Sequence, residues 1–158
     1  MNDPIEHALT EIESKLRAAW TLNQCLTCPL GELAALAAAT LEFWREKQKS
    51  WAAGLFEGEG CITTNGGTYP RLAIGMTDKD ILEKFQMIAG EGKLYGPYQS
   101  PSTPEGRKPK YIWAAHGPAA ERVMEWLRER LGSRRQTRAE EVFGPKINPD
   151  HWSNYRVK

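Results

Sequence analysis

Two glutamates one residue apart close a stretch of small residues, AAGLFEGEG, from Ala52 to Gly60. Gly54 and Gly58 are one helical turn apart, so a helix here carries a smooth strip on which another helix backbone can come very close. Glu59 falls in the last turn, where a helix presents unsatisfied carbonyls and a partial negative charge. A carboxylate gains nothing from the dipole at that end; what it creates is a place that attracts a hard divalent cation. The chain contains one such stretch. The simplest partner for the strip is therefore the same helix from a second copy, and a twofold interface would bring two Glu59 carboxylates together near its axis. Gly54, Gly58, Ala53 and Glu57 are the candidate interface residues. The plainer alternative is an Ala/Gly-rich packing helix with two solvated glutamates.

The second set of residues with chemical potential is basic. The chain has 21 Lys and Arg against 20 Asp and Glu, for a net charge of +1. Residues 1–50 hold 5 basic against 7 acidic residues, and residues 51–158 hold 16 against 13. In the second part the cations cluster at Arg107, Lys108 and Lys110, and again at Arg134, Arg135 and Arg138. Such clusters point toward phosphate, or are simply solvated surface. No apolar run approaches the ~20 residues that a bilayer span needs. The start, MNDPIEHALTEIESK, is acidic and polar where a signal peptide is basic and then apolar, which implies a cytoplasmic product. The cysteines Cys25, Cys28 and Cys61 are too few and odd in number for a secreted disulfide framework. Cys25 and Cys28 form a CxxC, read here as packed or loop thiols, with half of a metal site as the alternative.

The elements that must position these groups follow from periodicity. Ile5, Leu9, Ile12, Leu16 and Trp20 define one amphipathic helix, and Leu33, Leu36, Ala37, Leu41 and Trp44 share a face of a second that opens at Pro29. Together they make a helical hairpin over 1–50. A short helix over 50–60 follows, with Ser50 as a candidate N-cap and Gly60 as its stop, either separate from the preceding helix or continuous with it. Cys61–Thr64 and Tyr69–Thr77 flank a Gly-rich turn and read as a hairpin. Asp78 caps a helix with Ile81, Leu82, Phe85 and Ile88 inward, closed by Gly90. Lys93–Tyr98 and Tyr111–Ala115 form a second hairpin across a long Pro- and Ser-rich loop. Pro118 opens a helix, and a shorter basic helix runs through Phe143. The order helix, two strands, helix, two strands, helix makes an α+β domain. Residues 145–158 read as a tail.

With these elements in place, AAGLFEGEG resembles the motif of the LAGLIDADG homing-endonuclease family, Glu57 and Glu59 standing at its two aspartates. DKDILEKFQMIAGEGKLYG resembles that family's second helix leading into the third strand, and LGSRRQTRAEEVF its basic closing helix. The resemblance covers about Trp51 to Phe143. It implies an α-β-β-α-β-β-α domain over 51–144 with an antiparallel DNA-binding sheet, preceded by the appendage 1–50. It implies a site-specific double-stranded DNA endonuclease, of a kind carried by mobile introns, working as a homodimer with Mg²⁺ or Mn²⁺. Glu59 takes the catalytic acidic position, and Glu59 with Gly58 the metal position; Glu57 matches the aspartate that does not itself ligate metal. Metal between Glu59 and its twin would polarise the scissile phosphates and activate water. A two-stranded ribbon fits the major groove, and strand alternation nominates Thr63, Asn65, Arg71, Tyr98, Gln99, Lys108 and Lys110 for the DNA face. Arg134, Arg135 and Arg138 are expected on backbone phosphates.

The sequence departs from the family where side chains at the ends of the second and fourth strands organise solvent around the metals. Gly75 and His116-Gly117 stand at those places, with His116 or Lys110 as replacements. A catalytically inactive DNA-binding relative and an RNA-binding splicing maturase are the alternative functions.

Overall fold

The computed structural model describes residues 4–23, 29–65, 69–99 and 108–144. The described elements are α1 (Pro4–Asn23), α2 (Pro29–Glu59), β1 (Gly60–Asn65), β2 (Tyr69–Met76), α3 (Lys79–Ala89), β3 (Lys93–Tyr98), β4 (Lys110–His116), α4 (Pro118–Leu127), a 3₁₀ turn (Arg128–Arg130) and α5 (Ser133–Phe143). The chain divides into two compact units, residues 1–48 and 49–158. Cys25, Cys28, the turn at Gly66-Gly67, the loop 100–107 and the tail 145–158 lie outside the described residues.

The structure decides what the sequence left open: the helical stretch over 50–60 is continuous with the helix before it, since α2 runs unbroken from Pro29 to Glu59 and Ser50 lies in its interior. Ser50 costs little inside a helix, and neither Gly nor Pro interrupts the run between Leu33 and Ala53. Gly60 also differs from the expected helix stop. It is the first residue of β1, so helix passes to strand with no loop.

In the second unit the strands form one antiparallel sheet in the order β1-β2-β4-β3. Ile62 pairs with Leu72, Leu72 with Ala115, Ile74 with Trp113 and Trp113 with Leu94. These residues form one face, since side chains alternate along a strand. That face is covered by Ala52, Ala53 and Phe56 of α2, Leu82 and Phe85 of α3, and Ala120, Val123, Met124 and Leu127 of α4 in one core. Phe56 stacks near Phe85 at 6.3 Å between centroids, and Phe85 meets Trp113 edge-on at 4.7 Å. The aromatic chain thus ties three elements together, with pair geometry worth roughly 0.5–1.5 kcal/mol beyond burial. Trp113 donates its indole N–H to the Glu91 carbonyl at 3.0 Å, which satisfies the polar end of a fully buried side chain.

Helix ends largely follow the sequence signals. Gly90 adopts a left-handed conformation (φ 68°) and donates to Gln86, closing α3, and Pro118 sits in the first turn of α4. Asp78 stands at the N-cap of α3 but makes no side-chain cap bond. Its carboxylate lies 3.8 Å from Lys108 instead.

Candidate functional site

The register fixes what the other sheet face carries. Beside the core-facing residues, the opposite positions are Cys61, Thr63 and Asn65 on β1, Tyr69, Arg71, Ala73 and Gly75 on β2, Ile112, Ala114 and His116 on β4, and Lys93 and Tyr95 on β3. Tyr98 pairs with Lys110 beyond an irregularity in β3, and both belong to this face. None of these residues is Asp or Glu. Three are permanent cations (Arg71, Lys93, Lys110), and His116 lies across from Arg71. The middle of the face is floored by the Ala73-Ala114 pair and Gly75, while larger polar groups and the exposed Tyr69, Tyr95 and Tyr98 surround it. In a chain with nearly equal numbers of acidic and basic residues, a sheet face without carboxylates holds a positive potential suited to polyanions.

Of the nominated face residues, Thr63, Asn65, Arg71, Tyr98 and Lys110 lie on this surface. Gln99 and Lys108 are exposed but lie outside the strands. Lys93, Tyr69 and Tyr95 also belong here and were missed. Lys93 and Tyr95 follow from alternation once Tyr98 is placed, but the irregularity between Tyr95 and Tyr98 shifts the count by one.

The acidic residue sits at one end of the same face. Glu59 is the last residue of α2 and is exposed, with no hydrogen-bond or ion-pair partner among the described residues. Gly60 pairs with Ile74, so Gly75, one step further on, lies beside the junction that carries Glu59. The second strand's vacancy at Gly75 is filled from elsewhere. A Cβ there would lie 2.7 Å from Cε and 3.2 Å from Nζ of Lys110, so the lysine lies directly over the glycine. His116 is not at that place: its partner is Arg71, four residues back along β2. The first residue of β4, rather than its last, therefore comes nearest the acidic junction. β2 and β4 run antiparallel, which sets the end of one against the start of the other.

Gly54 and Gly58 are exposed, and a Cβ on either would meet nothing within 4 Å. Ala53 does not belong to that strip. It is 2% exposed and packs in the chain's own core, because 100° per residue turns it away from Gly54. Glu57 is likewise engaged within the chain: it accepts the Gly132 backbone N–H at 3.0 Å and lies 3.5 Å from Arg135 Nε. A carboxylate at the start of α5 meets its unpaired N–H groups and the positive end of its dipole.

The three arginines also divide. Arg135 donates from Nη1 to the Gly60 carbonyl at 2.6 Å, and its side chain is 14% exposed. Arg138 donates from Nε to the Ile62 carbonyl at 3.3 Å and pairs with Glu141 at 2.8 Å. Both therefore act on the outer edge of β1, where strand carbonyls otherwise have no partner. Arg134 is exposed, with no partner among the described residues. It lines a cavity of about 640 Å³ between β1 and α5, together with Cys61, Thr137 and Arg138.

These features define an α+β unit with one open, carboxylate-free sheet face and, at a helix-to-strand junction, a carboxylate with no partner among the described residues. No family model and no curated protein matches the sequence. Among solved structures the chain is similar to the homing endonuclease I-CvuI in complex with its target (Sro1.3) in the presence of 2 mM Ca, with TM-score 0.47 and 17% identity. That match covers 63% of this chain and 66% of that chain. It is also similar to I-CvuI with the I-CreI target in 2 mM Mg, where the DNA is not cleaved, with TM-score 0.48 and 17% identity over 68% of this chain and 72% of that chain.

Proposed function

We propose that the protein is a site-specific endonuclease of double-stranded DNA, acting as a homodimer with Mg²⁺ or Mn²⁺. The observation that carries this reading is the convergence of an open sheet face lacking carboxylates with an exposed Glu59 at its end that has no partner among the described residues. The strands supply alternate side chains to base edges in the major groove, Arg71, Lys93 and Lys110 among them. Arg134 supplies a backbone-phosphate contact.

The donor set fits a hard cation. No group of three or more His, Cys, Asp or Glu lies together among the described residues. One chain thus offers Glu59 and the helix-end carbonyl of Gly58, and the strip at Gly54 and Gly58 is open for a second copy that doubles the set. A bound metal would polarise the scissile phosphate and lower the pKa of water. Glu59 would hold it, and Lys110, resting over Gly75, would place a positive charge toward the same phosphate.

A second reading, binding without cleavage, is favoured by Gly75, which brings no side chain of its own beside the acidic junction and is covered by Lys110. The discriminating experiment selects duplexes from a random DNA library and incubates the bound pool with Mg²⁺. Cleavage of selected duplexes supports the nuclease, tight binding without cleavage supports the second reading, and no binding removes both.

A further inference from the structure

Glu59 is an exposed side chain, so its direction depends on the backbone to either side of it. Two residues before it, Glu57 accepts the Gly132 N–H at 3.0 Å and lies 3.5 Å from Arg135 Nε. One residue after it, the Gly60 carbonyl accepts from Arg135 Nη1 at 2.6 Å. A single guanidinium therefore bridges both flanks of Glu59. It also lies over Phe56, with its central carbon 5.9 Å from the ring centroid, which ties the bridge to the core. Its Nη1 hydrogen bond to Gly60 and the ion pair of Nε with Glu57 draw on two sides of one rigid planar group, whereas a lysine ammonium is a point charge on a flexible stem.

We propose that Arg135, acting through Glu57 and Gly60, is a positioning residue for Glu59: it clamps residues 57–60 to α5 and so fixes the backbone from which the Glu59 side chain leaves at the end of the open face. The inference rests on the nuclease reading above. Its physical reason is that Mg²⁺ demands near-ideal octahedral geometry and that small misplacements of a reacting group cost large factors in rate. It also separates Arg135 from Arg134. The first is committed to acceptors in its own chain, and the second is free to meet phosphate.

The test uses the full chain and a selected duplex, comparing wild type, Arg135→Met, Arg135→Lys and Arg134→Ala. Arg135→Met keeps the stem and removes the fork. It should lower the single-turnover cleavage rate by about 10-fold or more, raise the Mg²⁺ needed for half-maximal rate, and speed hydrogen exchange of the Gly132 amide. The slope of log Kd against log salt should stay at the wild-type value, while Arg134→Ala flattens it by up to about one unit. Arg135→Lys should recover part of the rate, and it gives the same readouts if the Met variant fails to fold. A salt slope flattened by both Arg135 variants would make the residue a phosphate contact and overturn the proposal. Wild-type-like cleavage and Gly132 exchange in the variants would overturn it too, leaving the nuclease intact. A wild type that binds duplex but never cleaves overturns the proposal from beneath, by removing the nuclease reading.

Discussion

Replacing Gly60 by Ala asks whether helix must pass to strand directly at the acidic motif. A Cβ on Gly60 would stand 2.4 Å from the Phe56 carbonyl oxygen and 2.5 and 2.6 Å from two carbons of the Phe56 ring. Comfortable carbon contacts begin near ~3.5 Å, so the atoms must separate by about 1 Å. The ring cannot yield easily: Phe56 is 0% exposed and packed toward Phe85, which itself abuts Trp113. Overpacking of a filled core costs about 1–3 kcal/mol, and with a backbone carbonyl among the obstacles the upper end of that range applies. Gly54→Ala should do the opposite. Nothing lies within 4 Å of its Cβ position and the site is an exposed helix interior, so the protomer gains roughly 0.5–1 kcal/mol. Urea denaturation at concentrations low enough to hold the chain monomeric should thus separate the two variants by about 3–4 kcal/mol. In melting temperature each kcal/mol corresponds to roughly 4–8 °C for a domain of this size. A Gly60→Ala protein as stable as wild type would refute the direct junction and the packing of Phe56 against it.

Three further outcomes are expected. Gly54→Leu or Gly58→Leu should hold two α2 helices apart, so sedimentation that detects wild-type dimers should find monomer or aggregate in the variants; a wild type that stays monomeric over a broad concentration range contradicts the twofold site. Lys110→Met should slow cleavage in the single-turnover assay, and Gly75→Val, which displaces the lysine from its seat, should do the same; equal rates for wild type and both variants would strip Lys110 of its role. Phe56→Ala should destabilise the fold by about 3–5 kcal/mol in denaturant titration, since the ring is fully buried, and a loss below about 1 kcal/mol would show that the aromatic chain is not central to the core.

The elements of the second unit were legible because their signals are local. Strand alternation, Gly90 as a left-handed stop and Pro118 as an opener each act within a few residues. The continuity of α2 was not legible, because a serine at 50 suits an N-cap as well as a helix interior, and only the fold chooses. The candidate site was legible in part. Glu59 and the open strip at Gly54 and Gly58 follow from helical spacing, whereas Ala53 illustrates how a neighbour one residue away faces the core. The intrachain acceptors of the arginines were not legible because they are remote in sequence: 75 positions separate Arg135 from Gly60, and 76 separate Arg138 from Ile62. No local pattern distinguishes an arginine that closes a sheet edge from one that waits for phosphate. Lys110 over Gly75 is of the same kind, since it exists only through the pairing of β2 with β4.

Whether Glu59 holds the metal of a DNA endonuclease is tested by single-turnover cleavage of a selected duplex in Mg²⁺. Wild type should cut, and Glu59→Gln should bind the same duplex as tightly or more tightly while failing to cut, because the amide keeps the shape but loses the charge that holds the metal. Glu57→Gln should retain cleavage at a reduced rate, since it weakens the tie to α5 without removing the ligand. Equal cleavage by wild type and Glu59→Gln would show that Glu59 does not hold the metal.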